Sequence, residues 1–200
     1  TKWVMKALPV KHFITVTKHR NQVIKNGFHC GIFFHCLFHD LSKFSLAEFI
    51  PSSRYYQGVN SPIREERKEN NGFSFISFHH TKRNKHHWEY WCDFYRGRII
   101  ATNIPYKYIV EYCCDVLSAS KTYHPESFQR ENGLIFFEKT KCCYYRTEGS
   151  IAFIEWFFRE YKENGFKNLK KKQTKAKYEE IRALYPKTRI FDQLDHTYPV

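Results

Sequence analysis

Over residues 10–24 the apolar positions fall at Val10, Phe13, Ile14, Val16, Val23 and Ile24, intervals nearer to the period of a helix face than to the alternation of a strand. This predicts a first long helix. His12 and His19 lie seven residues apart on it, which places them on one face, two turns from each other. Gly27 is expected to close this helix or to mark the turn after it. The next run, residues 32–39, is almost wholly bulky and apolar and leads into Asp40-Leu41-Ser42-Lys43-Phe44. As a strand it would send His39 and Asp40 to opposite faces; as a helix it sets them about 100° apart, where both can face one ion. The helical reading is therefore adopted. Ser45 and Glu48 have the spacing of a capping box that opens a short helix, and Pro51 is expected to end it.

Residues 52–71 are polar, with Gly58, Pro62 and the run Arg64-Glu65-Glu66-Arg67-Lys68-Glu69, the composition of a loop with room for one exposed helical turn. Gly72 opens an aromatic stretch that ends in His79 and His80, and Asn84 is of a type that caps a further helix through Trp91. An unbroken helix there would put His80, Asn84, His87 and Trp91 on one face. A helix capped at Asn84 would set His86 and His87 among first-turn amides that favour an anion. Pro105 at a first helical position precedes Tyr108, Ile109, Tyr112, Val116 and Ala119, the most regular amphipathic pattern in the chain. Glu111 and Asp115 are neighbours on it, four apart. Residues 151–158 form another apolar stretch that continues through Tyr161 to Gly165, a helix C-cap type. The expected fold class is all-α, with one helical bundle domain over residues 1–165 and a basic helical extension over residues 166–200.

Two hundred residues suffice for one ordinary domain with its own core, and 42% hydrophobic with 18% aromatic residues is a globular composition. The formal charge of +13 favours anionic partners without choosing among phosphates, nucleotides and nucleic acid. Much of the excess sits at Lys162, Lys167, Lys170, Lys171, Lys172, Lys175 and Lys177, which reads either as a solvated helix face or as a polyanion-binding tail. The seven cysteines include two adjacent pairs and no C-x-x-C, which suits neither a disulfide framework nor a zinc ribbon. No apolar run approaches about 18 residues and no leader-like pattern is visible. A reducing, cytoplasmic setting without a membrane partner is expected. The aromatic content is compatible with a homodimer.

Eleven histidines make imidazole abundant, and imidazole with carboxylate is the usual donor set for divalent transition metals. His19, the pair His39-Asp40, the cluster His79, His80, His86 and His87, and then Asp115 follow in that order. Asp115 changes the odds. It is expected inside an amphipathic helix beside Cys113, Cys114 and Val116, where an unpaired carboxylate is costly. A cation held also by two histidines and a second acid would satisfy it.

The order His19, His39-Asp40, Asp115 resembles the H…HD…D signature of the His-Asp (HD) metal-dependent phosphohydrolase superfamily, and His39-Asp40-Leu41-Ser42-Lys43 resembles its H-D-x-x-K form. The blocks HDLSKF (39–44), YYQGVNSP (55–62), HHTKRNKHHWEYW (79–91) and IPYKYIVEYCCDVLSASKTY (104–123) resemble more closely a poorly characterised bacterial and viral family of unknown function related to that superfamily. The similarity spans about residues 11–165. It implies an HD-like bundle in which His19, His39, Asp40 and Asp115 hold one divalent ion, Mn, Fe, Co or Zn. Two-metal members add histidines between the HD pair and the last aspartate. His80 and His87, with His86, would fill that role, although the interval from His80 to the pair is shorter than in those members. The alternative for this cluster is a phosphate-binding surface.

The function this implies is hydrolysis of a phosphate ester, on a nucleotide or another small phosphorylated metabolite, by a metal-activated water. Asp40, Lys43 and Glu111 are the catalytic candidates. Asp40 would orient the water, Lys43 would neutralise phosphoryl oxygens, and Glu111 would orient a ligand or act as general acid. Lys43, Lys82, Arg83 and His86 are the candidate substrate contacts. Two other functions stay open: a di-iron, oxygen-activating protein of HD type, and a non-catalytic module whose basic C-terminal region binds nucleic acid. A c-type haem site is not indicated, since C-x-x-C-H is absent.

Overall fold

The stripe His12, Val16, His19, Val23, Asn26 and Gly27 is buried along one side of α1 (Pro9–His29), and Pro9 supplies the fixed φ that suits a first helical turn. The computed structural model describes residues 8–58 and 60–192; the remaining residues of the two expected segments lie outside these. Along α1 runs α6 (Tyr106–Tyr123), whose buried face carries Ile109, Val110, Tyr112, Cys113, Val116 and Leu117. On the far side of α6, α7 (Asn132–Thr140) contributes Phe137, and α8 (Glu148–Asn164) contributes Phe153, Ile154, Phe157 and Phe158. Gly165, at φ 59, caps α8 where expected. Of four shorter helices, α2 (Phe33–Cys36) and α3 (Leu46–Tyr55) pack on α1, and α4 (Pro62–Glu69) and α5 (Phe75–Thr81) pack on α3.

The mostly helical architecture supports the all-α expectation in the main, with one small sheet that the sequence pattern does not show. An antiparallel sheet of three strands, β1 (Cys92–Tyr95), β2 (Arg98–Thr102) and β3 (Thr188–Phe191), lies in the order β1-β2-β3. Arg96 and Gly97 both have positive φ, 49° and 76°, so they form the two-residue turn that matches strand twist. Tyr95 then pairs with Arg98. The strands are too short to show as periods.

Beyond Gly165 the chain rejoins the core. Leu169 is fully buried, Tyr178 and Ile181 of α9 (Lys171–Leu184) pack into the same cluster, and the Tyr178 hydroxyl donates to the Ile104 carbonyl at 3.0 Å. Lys171, Lys172 and Lys175 face outward. Among the described residues no helix is long and apolar enough to cross a membrane. All seven cysteines are free.

Three local expectations are overturned. Pro51 lies inside α3 (Leu46–Tyr55), whose next residues, Ser52 and Ser53, are buried, and the Ser53 carbonyl accepts from Leu8 N at 3.0 Å, which ties that end of the helix to the start of α1. The stretch 52–71 holds α4, two turns with Glu65 and Glu66 buried, rather than one exposed turn. Gly27 does not end α1. A Cβ there would collide with the Cys36 Sγ and come within 2.9 Å of its Cβ, so Gly27 is the point of closest approach between α1 and α2. Gly27→Ala should therefore destabilise the protein by about 1–3 kcal/mol of overpacking, despite the better helix propensity of alanine by about 1 kcal/mol. Urea unfolding measures this; a G27A midpoint equal to or above the parent's would show that the approach is not tight.

Candidate metal centre

The turn after α2, not a helix, brings the His-Asp pair together. Asp40 sits in the left-handed region, φ 51 and ψ 30, which aspartate tolerates better than most side chains. The helical geometry expected for residues 32–39 thus ends at Cys36. Lys43 follows in a short 3-10 turn and its Nζ lies 2.6 Å from Asp40 Oδ2. His19 comes from α1, His80 from α5, and Glu111 with Asp115 from successive turns of α6. Asn84 neither caps a helix nor continues one: its amide donates to Ser42 Oγ at 2.8 Å and to the His80 carbonyl at 2.9 Å. That folds the following turn back, and His86 and His87 both reach the centre.

All six residues expected as metal ligands converge. One ligand atom from each of His19, His39, Asp40 and Asp115 lies within 4.8 Å of the others, and the same holds for Asp40, His80, His86 and His87. Asp40 belongs to both sets. His39 Nε2 is 3.2 Å from Asp40 Oδ2 and 3.6 Å from Asp115 Oδ1; His19 Nε2 is 2.9 Å from Asp115 Oδ1; His80 Nε2 is 3.3 Å from Asp40 Oδ1. His86, expected as a substrate contact, is 1% exposed, with Nε2 3.5 Å from Asp40 Oδ1.

The outer nitrogens are tied down and the inner ones are not. His39 Nδ1 donates to Glu111 Oε1 at 2.8 Å, and His80 Nδ1 to Glu48 Oε1 at 2.7 Å. Glu111 also receives His35 Nε2 at 2.8 Å and lies 3.4 Å from His86 Nδ1. This is how a ligating imidazole is oriented and its tautomer fixed. Meanwhile both His19 nitrogens, Nε2 of His39, His86 and His87, and both Asp40 oxygens have no hydrogen bond of good geometry among the described residues. Buried polar atoms are rarely left so, and these face one another. That donor set fits a divalent cation.

Ser45 and Glu48 do not form the expected capping box: Ser45 Oγ donates to the Ser42 carbonyl, and Glu48 turns inward to accept from Ser42 Oγ. His12, on the His19 face, is packed against Phe49 and Tyr56. Burial, helped by Lys43 and opposed by Glu48, lowers its pKa to about 4, so it stays neutral. Lys82 and Arg83 are exposed, Lys82 over the Phe78 ring and Arg83 bonded to the His79 carbonyl. The cleft of about 690 Å³ that opens on His80, His87 and Asp115 is lined by Arg64, Arg67 and Arg146 instead.

The model of a family described as a family of unknown function (DUF5662) matches residues 9–181. Comparison with the curated proteins and with the solved structures gives no match.

The buried carboxylates of the centre and the imidazoles and Lys43 around them shift one another. Burial pushes the Asp40 and Asp115 carboxyls up, yet the imidazoles around them, with Lys43 beside Asp40, hold both well below the usual range. Burial likewise opposes a charge on His39, but Asp40, Asp115 and Glu111 together raise its pKa well above normal. His39 then keeps a proton where a metal would sit. A histidine raised in this way stabilises the fold below about pH 6.5 and loses that contribution as pH rises through its folded value. A metal ion must displace the proton, so its affinity falls with pH below that value. The stabilisation of the chelator-treated chain by Mn or Zn should consequently be larger at about pH 8.5 than at about pH 6.5, read as the shift in melting temperature; equal shifts at both would remove His39 from the ligand set.

Proposed function

The chain belongs to this family of unknown function, and from its site we propose that it is a metal-dependent phosphohydrolase of the His-Asp kind, acting on a nucleotide or another small phosphorylated metabolite. One observation carries the reading: buried donor atoms left without partners, gathered beside a cleft that opens on His80, His87 and Asp115 and is lined by three arginines. A divalent ion bound there would supply hydroxide near neutral pH and polarise a phosphoryl oxygen.

The chain's own residues do the rest. Glu111 and Glu48 fix the rings of His39 and His80. Imidazoles hold Glu111 well below the carboxylate range despite its burial, so it positions ligands and has no proton to give as a general acid. Lys43 is kept protonated, because Asp40 and Asp115 outweigh the burial that opposes its charge. Standing beside Asp40 it can meet phosphoryl oxygens as negative charge grows on them. Asp40, common to both ligand sets, favours two ions over one. The same sharing suits a pair of irons and oxygen chemistry, which near two irons per chain and visible colour would mark.

The purified chain supplied with Mn, Co or Fe should release phosphate from a nucleotide or a phosphate monoester. Asp40→Ala should abolish release, and Glu111→Gln should lower activity or metal affinity about 10–100-fold. A broad screen of metals and phosphorylated substrates without turnover would remove the hydrolase reading.

A further inference from the structure

Arg146 is 1% exposed. Its guanidinium lies 4.4 Å from the Tyr112 ring centroid and 4.8 Å from that of Tyr144, and Nε, Nη1 and Nη2 make no hydrogen bond of good geometry among the described residues, the Tyr112 hydroxyl being the polar group beside them. Packing against two rings restrains the guanidinium without using up its five N–H donors. Arginine cannot escape the cost of burial by losing its proton, and a buried charge without a counter-ion is strongly unfavourable. Glu89 lines the same cleft, but its Oε2 is also without a hydrogen bond, and burial raises its carboxyl above the usual range against the pull of Arg146 and Arg67. An anion from outside would complete this group.

We propose that Arg146, assisted by Arg67, is an anion subsite that holds a second phosphate of the substrate while the first lies at the metal centre. The substrate class is then a nucleoside diphosphate or a bisphosphorylated metabolite, and this specification rests on the hydrolase reading above. Arg146, Tyr112 and Asp115 line the same cleft, so an anion held at Arg146 shares that cleft with the metal centre. Arg67, on the cleft wall, is steadied by a bond from Nη2 to Ser77 Oγ at 3.1 Å. A guanidinium fork suits the paired oxygens of a phosphate better than an ammonium does.

Calorimetric titration of the full chain with methylenebisphosphonate and with methylphosphonate tests this without requiring turnover. The bisphosphonate should bind about tenfold tighter or more, as expected for a charge-assisted bidentate contact, and Arg146→Met should bring it down to the level of methylphosphonate. Arg146→Met should also melt no lower than the parent, because an unpaired buried charge has gone; a purely structural arginine would leave it less stable. Should Arg146→Met not fold, the exposed Arg67→Met gives the same test with a several-fold loss. Equal binding of the two probes by the parent, or a preference that survives both substitutions, overturns the subsite. Preference without turnover on any phosphate ester would sink the hydrolase reading and leave the subsite standing; turnover without preference would do the reverse.

Discussion

The centre depends on how negative charge is neutralised inside a helical bundle. Asp40, Glu48 and Glu111 are buried, and Asp115 shows 18% of its side chain to solvent. Two unit charges about 4 Å apart interact by about 4 kcal/mol at an effective dielectric constant of about 20, so several carboxylates cannot gather without compensation. Lys43 neutralises part of it at Asp40. A proton on His39, whose pKa its carboxylate neighbours raise, offsets another part. A divalent ion could take its place, and four other histidines gathered around Asp40 and Asp115 offer further donor atoms to one.

Each element that supplies the centre is held by something other than the centre. α1 and α6 pack through Val23, Ile109, Cys113 and Cys114, and the Asn26 amide donates to Ser118 Oγ at 2.9 Å across that interface. His19 and Asp115 ride on this rigid pair. Gly27 lets α2 approach closely enough for the following turn to reach the same point. Ser42, Asn84 and Glu48 then bind the α5 segment to that turn. The donor groups that meet from four separate segments are thus placed by the fold itself, which would lower the ordering cost of binding an ion.

What was legible in the sequence follows from how each feature is encoded. α1, α6 and α8 repeat an apolar period over several turns, and that signal survives local irregularities. The β1–β2 hairpin spans four and five residues around Arg96-Gly97, where only the turn chemistry could speak. Pro51 and Asn84 were judged by local preference and overruled by tertiary contacts. The ligands could be found because histidine and aspartate are scarce at such positions and their order resembles a known signature. Glu48 was hidden, since a glutamate three residues after a serine serves a helix start equally well. Arg146 was hidden for another reason: it is a single basic residue among tyrosines in a chain with many of both, and only burial distinguishes it.

The lining of the cleft constrains its occupant. His80, His87 and Asp115 of the centre share it with Arg64, Arg67, Arg146 and Glu89. On the proposed reading, a bound divalent ion would itself attract an anion at the centre, as the arginines do beside it. A neutral ligand would leave both unsatisfied and a singly charged one would satisfy one of them. An occupant with separated negative groups satisfies both, and Trp88, stacked on Tyr144 at 5.6 Å between ring centroids, gives its uncharged part an aromatic surface to lie against.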